Sequence, residues 1–215
     1  MTKPGKSVKN RRRAFTSRDP AVVAVRILDA AQAEFMRVGP EAANTNDIAA
    51  AFGGSKATLF RYFPTKNELL EAVVRRIASD WHAIAKWESI EEAAPRDWLL
   101  AFGEMTLTWL LREDSLFVGR LAISEAGRYP SIRNIFPENA SRPLHKALVK
   151  QLRRWEKSGA VASISPDRDA RLFFDMTFAG AVSRALYGVP RLDSKALSLH
   201  VESCVNLFLR GLRPT

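Results

Sequence analysis

With 215 residues and 24.0 kDa, the chain has room for one large domain or for a small domain joined to a larger one. Its 47% hydrophobic and 26% charged residues, with 11 glycines and 11 prolines, exclude collagen-like, low-complexity and largely disordered classes. The formal charge of +10 calls for a polyanionic partner, nucleic acid or an anionic surface, and charge alone does not separate the two.

The basicity is concentrated at the start. The first twenty residues hold Lys3, Lys6, Lys9, Arg11, Arg12, Arg13 and Arg18 against Asp19 alone, so residues 1–18 read as a flexible basic arm on a mildly basic body. No apolar segment follows the arm as a signal peptide requires, and no run approaches the roughly eighteen apolar residues of a membrane span; a cytoplasmic chain without membrane partners is expected. The single cysteine, Cys204, sits in an apolar helical pattern and reads as a small core residue.

Helix signals then recur along the chain, without a convincing strand pattern. Asp19-Pro20 opens a first helix with Ala24, Leu28, Ala31 and Phe35 on one face, stopping at Gly39-Pro40. Asn44 caps a short second helix, and Ser55 caps a third after Gly53-Gly54. Pro64-Thr65 begins a long helix bearing Leu70, Val74, Ile77, Trp81 and Ile84, the expected link between two regions. Beyond the acidic 88–92 stretch come a helix with Trp98, Phe102, Met105 and Trp109, an apolar one over Leu116–Ala126, one over Leu144–Trp155, and two more over Ser165–Tyr187 and about Asp193–Leu212. The prediction is an all-α protein of nine to ten helices. A three-helix domain over 19–66 precedes a larger helical domain over 67–215.

Residues 46–63, NDIAAAFGGSKATLFRYF, carry the functional signal. Ala49 permits close helix approach, Gly53 permits the positive φ of a tight turn, and Ile48 and Leu59 supply the contact that holds two short helices crossed. That arrangement leaves Lys56, Ala57, Thr58 and Arg61 on the outer face of the second of them, where a major groove can be entered. Asn44, Thr45 and Ser55, at the starts of the two helices, complete the candidate surface. The contiguous Arg11, Arg12 and Arg13 can add phosphate or minor-groove contacts.

The string ILDAAQAEFMRVGPEAANTNDIAAAFGGSKATLFRYFPTKNELLEAVV, from Ile27 to Val74, resembles the DNA-binding region of the TetR family of transcriptional regulators throughout. The resemblance implies that Thr58, Tyr62 and Lys66 touch operator phosphates and that Lys56, Ala57, Phe60 and Arg61 lie at or near base edges. Three positions depart from the family pattern: Gly54 and Thr45 stand where larger apolar residues are usual, and Phe60 where tyrosine is. Gly54 is expected to loosen the turn. GRLAISEAGRYP, from Gly119 to Pro130, and the closing NLFLRGL resemble the AefR-like subgroup, which implies an effector pocket in the middle helices and homodimerisation through the last two.

For the pocket, the sequence offers Trp81, Trp98, Phe102, Met105, Trp109, Phe117 and Leu121 as an apolar lining, each of which can equally be core. For the dimer interface it offers Phe173, Phe178, Leu197, Val201, Val205, Phe208 and Leu212, the last five at helical spacing. Glu125 and Arg128 can orient a polar ligand or form a structural pair. His82, His145 and His200 lack metal-ligand spacing, and there is no nucleophile elbow, phosphate-binding loop or dinucleotide fingerprint; no metal, cofactor or enzymatic activity is expected. The leading reading is a ligand-responsive repressor of double-stranded operator DNA with an unknown small-molecule effector. An architectural DNA-binding protein, or a helical small-molecule binder with a vestigial helix-turn-helix, are the alternatives.

Overall fold

The computed structural model describes residues 19–80, 92–124, 127, 129–162 and 165–212. Every regular element among them is helical, and nine helices follow in order: α1 (Pro20–Ala42), α2 (Thr45–Ala51), α3 (Lys56–Tyr62), α4 (Lys66–Ser79), α5 (Pro95–Leu110), α6 (Glu113–Ser124), α7 (130–157), α8 (166–186) and α9 (Ser194–Gly211). Helices α7 and α8 each contain a wider π turn, at Pro137–Ser141 and Asp175–Ala179. At the first of these, Pro137 has no N–H to give, and the backbone bridges it by a bond from the Arg142 amide to the Pro137 carbonyl.

Local chemistry sets the boundaries. The Asp19 carboxylate accepts from the Ala21 amide at 2.9 Å and Pro20 takes the first helical position. Helix α1 breaks at Gly39, whose φ of 81° no helix contains, then resumes for one turn to Ala42. Asp193 caps α9 by accepting from the Ala196 amide at 2.8 Å.

Two compact units result, divided between Leu69 and Leu70. In the first, Ile27, Ala31 and Phe35 of α1 are buried together with Ile48 and Ala49 of α2, Phe52 of the turn and Leu59 of α3. In the second, α5 packs on α9, α8 on α7, and α6 on the C-terminal part of α8.

An aromatic chain runs through the second core. Trp98 stacks on Phe102 at 4.8 Å and meets Trp155 edge-on at 5.6 Å, while Phe173 contacts Phe208 at 5.0 Å. Trp109 stacks on Phe136 at 5.5 Å. Burial of each such ring contributes roughly 1.5–3 kcal/mol. Buried donors in this unit, among them Trp98 Nε1, Thr106 Oγ1, Trp109 Nε1 and Ser115 Oγ, have no hydrogen-bond partner among the described residues.

The structure also locates the residues expected to line a pocket and a dimer interface. Of the proposed pocket lining, Trp98, Phe102, Trp109 and Leu121 are buried core residues, Met105 and Phe117 are half-buried, and Trp81 lies outside the described residues. All seven proposed dimer-interface residues are likewise buried inside the protomer, none more than 8% exposed. Leu172 of α8, Tyr187 just past its end, and Leu199 and Leu207 of α9 are exposed apolar residues, each at least 55% accessible.

Candidate nucleic-acid interface

Helices α2 and α3 are too short to persist alone and are held by caps and by one shared core. The Asn44 side chain accepts from the Asn46 amide at 2.9 Å, and Ser55 Oγ accepts from the Thr58 amide at 3.1 Å. Between the helices the Gly53 amide donates to Ala50 and the Gly54 amide to Ala49, both at 3.0 Å. Gly53 has φ 70°, the left-handed region that its position in the turn requires.

Gly54 does not leave the turn loose. A Cβ built there would lie 2.0 Å from the Phe52 ring, and that ring is only 5% exposed. Phe52 fills the space above Gly54, so the apolar contact is kept from two residues away.

With Leu59 wholly buried, α3 turns Lys56, Ala57 and Arg61 to solvent and leaves Thr58, Phe60 and Tyr62 half-exposed. Lys56 Nζ sits 5.8 Å over the Phe60 ring and the Arg61 guanidinium 5.5 Å over the Tyr62 ring. Each cation thus lies on an aromatic platform beside the face that would meet DNA. Asn44 and Ser55 are exposed and Thr45 half-exposed, so all nine α2–α3 candidates are at least partly accessible. Arg11, Arg12 and Arg13 lie outside the described residues.

Lys66 has a second engagement. Its ammonium donates to the Glu41 and Ala43 carbonyls, both at 2.8 Å, closing the end of α1 where a cation suits the helix dipole. An ammonium has three N–H groups, so one remains for a phosphate.

Two residues not singled out from the sequence hold the reader in place. Arg26 donates to the Phe52 carbonyl at 2.5 Å, fixing the turn to α1. Glu34, 9% exposed, accepts from Arg37 at 2.7 and 3.0 Å and from the Asn44 amide at 3.4 Å, tying α1 to the start of α2. The Arg37 hydrogen bond holds the Glu34 carboxyl below its ordinary value against the opposing effect of burial. An acid beside Phe35 within an apolar face was the available signal for the second.

Comparison with known proteins agrees with this geometry. Residues 27–73 match the model of bacterial regulatory proteins of the tetR family, and residues 97–212 match the AefR-like transcriptional repressor C-terminal domain. The regulator RutR of Escherichia coli K12 is 28% identical, the alignment covering 97% of each chain. A structure described as a TetR-family regulator from Mesorhizobium loti superposes with TM-score 0.81 at 23% identity, covering 90% of this chain and 98% of the other. The flavonoid-responsive regulator FrrA gives 0.72 at 22% identity with the same coverage. No helix among the described residues is long and apolar enough to cross a membrane. This chain belongs to the TetR family: it is a transcriptional regulator with a helix-turn-helix DNA-binding domain and an AefR-like C-terminal domain.

Proposed function

We propose that the protein is a homodimeric repressor that reads a palindromic operator and is released from it by a small, largely apolar effector bound in the second unit. The observation that carries the reading is the α3 face: Lys56, Ala57, Phe60 and Arg61 stand outward on a helix whose opposite side is locked by Leu59. Arg61 pairs with guanine edges, Lys56 with guanine or phosphate, and Phe60 packs on a thymine methyl. Thr58, Tyr62 and the remaining donor of Lys66 set the register on phosphates, and the basic arm adds further backbone contacts.

Dimerisation uses the outward stripe of the last two helices: Leu172, Ala179, Gly180 and Ser183 of α8 with Tyr187 just past its end, beside Leu199, Ser203 and Leu207 of α9, all exposed. The Phe173–Phe208 contact and the Thr177 carbonyl bonded to His200 at 2.8 Å set these helices antiparallel, so the two stripes run side by side. Small residues between the leucines permit close approach, and a patch of this kind is unusual on a monomer. Two α3 helices then meet half-sites about one DNA turn apart. An effector that favours the non-binding conformer by a few kcal/mol suffices for release; the flavonoid-responsive relative supports small-molecule control.

Selection of bound sequences from randomised DNA tests the reading, followed by Arg61→Ala. The expected loss is roughly 1–3 kcal/mol on the selected site with little change on random DNA. Equal losses on both would identify a non-selective architectural protein, and failure to select any sequence would identify the helix-turn-helix as vestigial.

A further inference from the structure

Helix α7 carries cations that the DNA-reading surface does not use. Arg142, Lys146, Lys150, Arg153 and Lys157 are spaced by three or four residues, which places them along one helix face, and all five are exposed. The opposite face, with Leu144, Leu148, Leu152 and Trp155, is buried.

Against this stripe, α7 and the start of α8 enclose a groove with two lobes. The first, of about 400 Å³, is lined by Arg142, His145, Lys146, Arg171, Phe174 and Asp175 among others. The second, of about 460 Å³, is lined by His145, Lys146, Val149, Lys150, Arg153 and Asp167. Both include His145, Lys146 and Asp167, so they form one continuous depression.

The lobes differ in chemistry. In the first, the rings of His145 and Phe174 meet edge to face at 6.0 Å and supply an apolar wall. The second is lined by Lys146, Lys150 and Arg153 beside Asp167; Lys150 has an interaction of its own, and Asp167 pairs with Arg171 and lies 3.9 Å from His145 Nε2. Lys146 and Arg153 have no carboxylate partner among the described residues. Like charges gathered along a groove repel one another, and an anion seated between them removes that cost. A merely solvated face needs no groove and no aromatic wall.

We infer that this groove is a binding site for an organic diphosphate, with its body against Phe174 and His145 and its phosphates toward Lys146, Lys150 and Arg153. The arginine supplies paired donors and the lysines point charges, the usual protein chemistry for phosphate. The lobe volumes are those of small-molecule sites. A nucleoside diphosphate and an isoprenoid diphosphate share this chemistry and differ only in the body. The site lies on α7 and α8 and stands whether or not α3 reads an operator as proposed.

Calorimetric titration of the full-length chain, in chelator and moderate salt, with ADP, geranyl diphosphate and inorganic pyrophosphate tests the assignment. At least one organic probe should bind saturably, one per chain, and roughly tenfold more tightly than pyrophosphate; which of the two binds better identifies the body as flat or aliphatic. Lys146→Gln and Arg153→Gln should each weaken that binding roughly tenfold, with Lys146→Arg retaining most of it. Both side chains are exposed, so the variants should keep the wild-type melting temperature. The site is refuted by pyrophosphate binding as tightly as both organic probes, by no saturation of any probe at millimolar concentration, or by binding that ignores Lys146 and Arg153 and is lost in Arg61→Gln.

Discussion

In the helix-turn-helix unit the buried carboxylate of Glu34 is answered on both oxygens, by Arg37 on one and the Asn44 amide on the other. In the second unit the buried donors of Trp98, Thr106, Trp109 and Ser115 meet no acceptor among the described residues. The contrast separates two kinds of core. A surface that reads DNA must hold side chains in fixed register, and satisfied polar groups specify one arrangement. A core with unmet donors gives up stability, on the order of 1 kcal/mol or more for each, and leaves alternative packings closer in energy. That suits the proposed role, in which an effector redistributes the conformers of this domain.

The largest expected effect is in the small core. Leu59→Ala should cost roughly 2–5 kcal/mol in chemical denaturation and abolish operator binding with it, whereas a mild loss would show that α3 is held chiefly by its caps. Next is the outer stripe of α9: Leu199→Glu with Leu207→Glu should raise the dimer dissociation constant at least roughly tenfold in sedimentation while leaving the protomer folded. An unchanged dimer would place self-association elsewhere.

Thr106→Val then tests the orphaned donors. Replacing a 2% exposed hydroxyl by an isosteric methyl should stabilise the chain by about 1 kcal/mol, and destabilisation would mean that the hydroxyl is satisfied. Glu34→Gln is the smallest and depends on pH. Because its folded pKa lies below the ordinary 4.5, the ionised group contributes stability above that value, and the contribution fades as pH falls through the folded pKa. Thermal midpoints of wild type and variant should therefore differ at neutral pH and converge on acidification; a constant gap would exclude the charge as the cause.

The reader was largely legible because its constraints are local. Asn44, Gly53 and Ser55 announce caps and a turn by residue type alone, and Leu59 and Arg61 follow from helical spacing. What depends on distant partners was not legible: the carbonyls that occupy Lys66 come from the end of α1, and Arg26 reaches the turn across 26 positions. In the second unit, helices were readable but their orientation was not. Helix α9 carries leucines on two faces, and spacing alone did not distinguish the inward Leu197–Val201–Phe208 face from the outward Leu199–Leu207 one. The start of α7 was hidden by Pro130, Pro137 and Pro143; Pro130 takes the first helical position, and the π turn begins at Pro137.

The fit of Phe52 over Gly54 also constrains how this chain can diverge. Any side chain introduced at 54 collides with the ring, and shrinking the ring first opens a void under the turn. Each single step passes through a less stable protein, so the two positions should change as a pair along a lineage. A regulator with the more usual aliphatic residue at 54 is then two coordinated replacements away, not one.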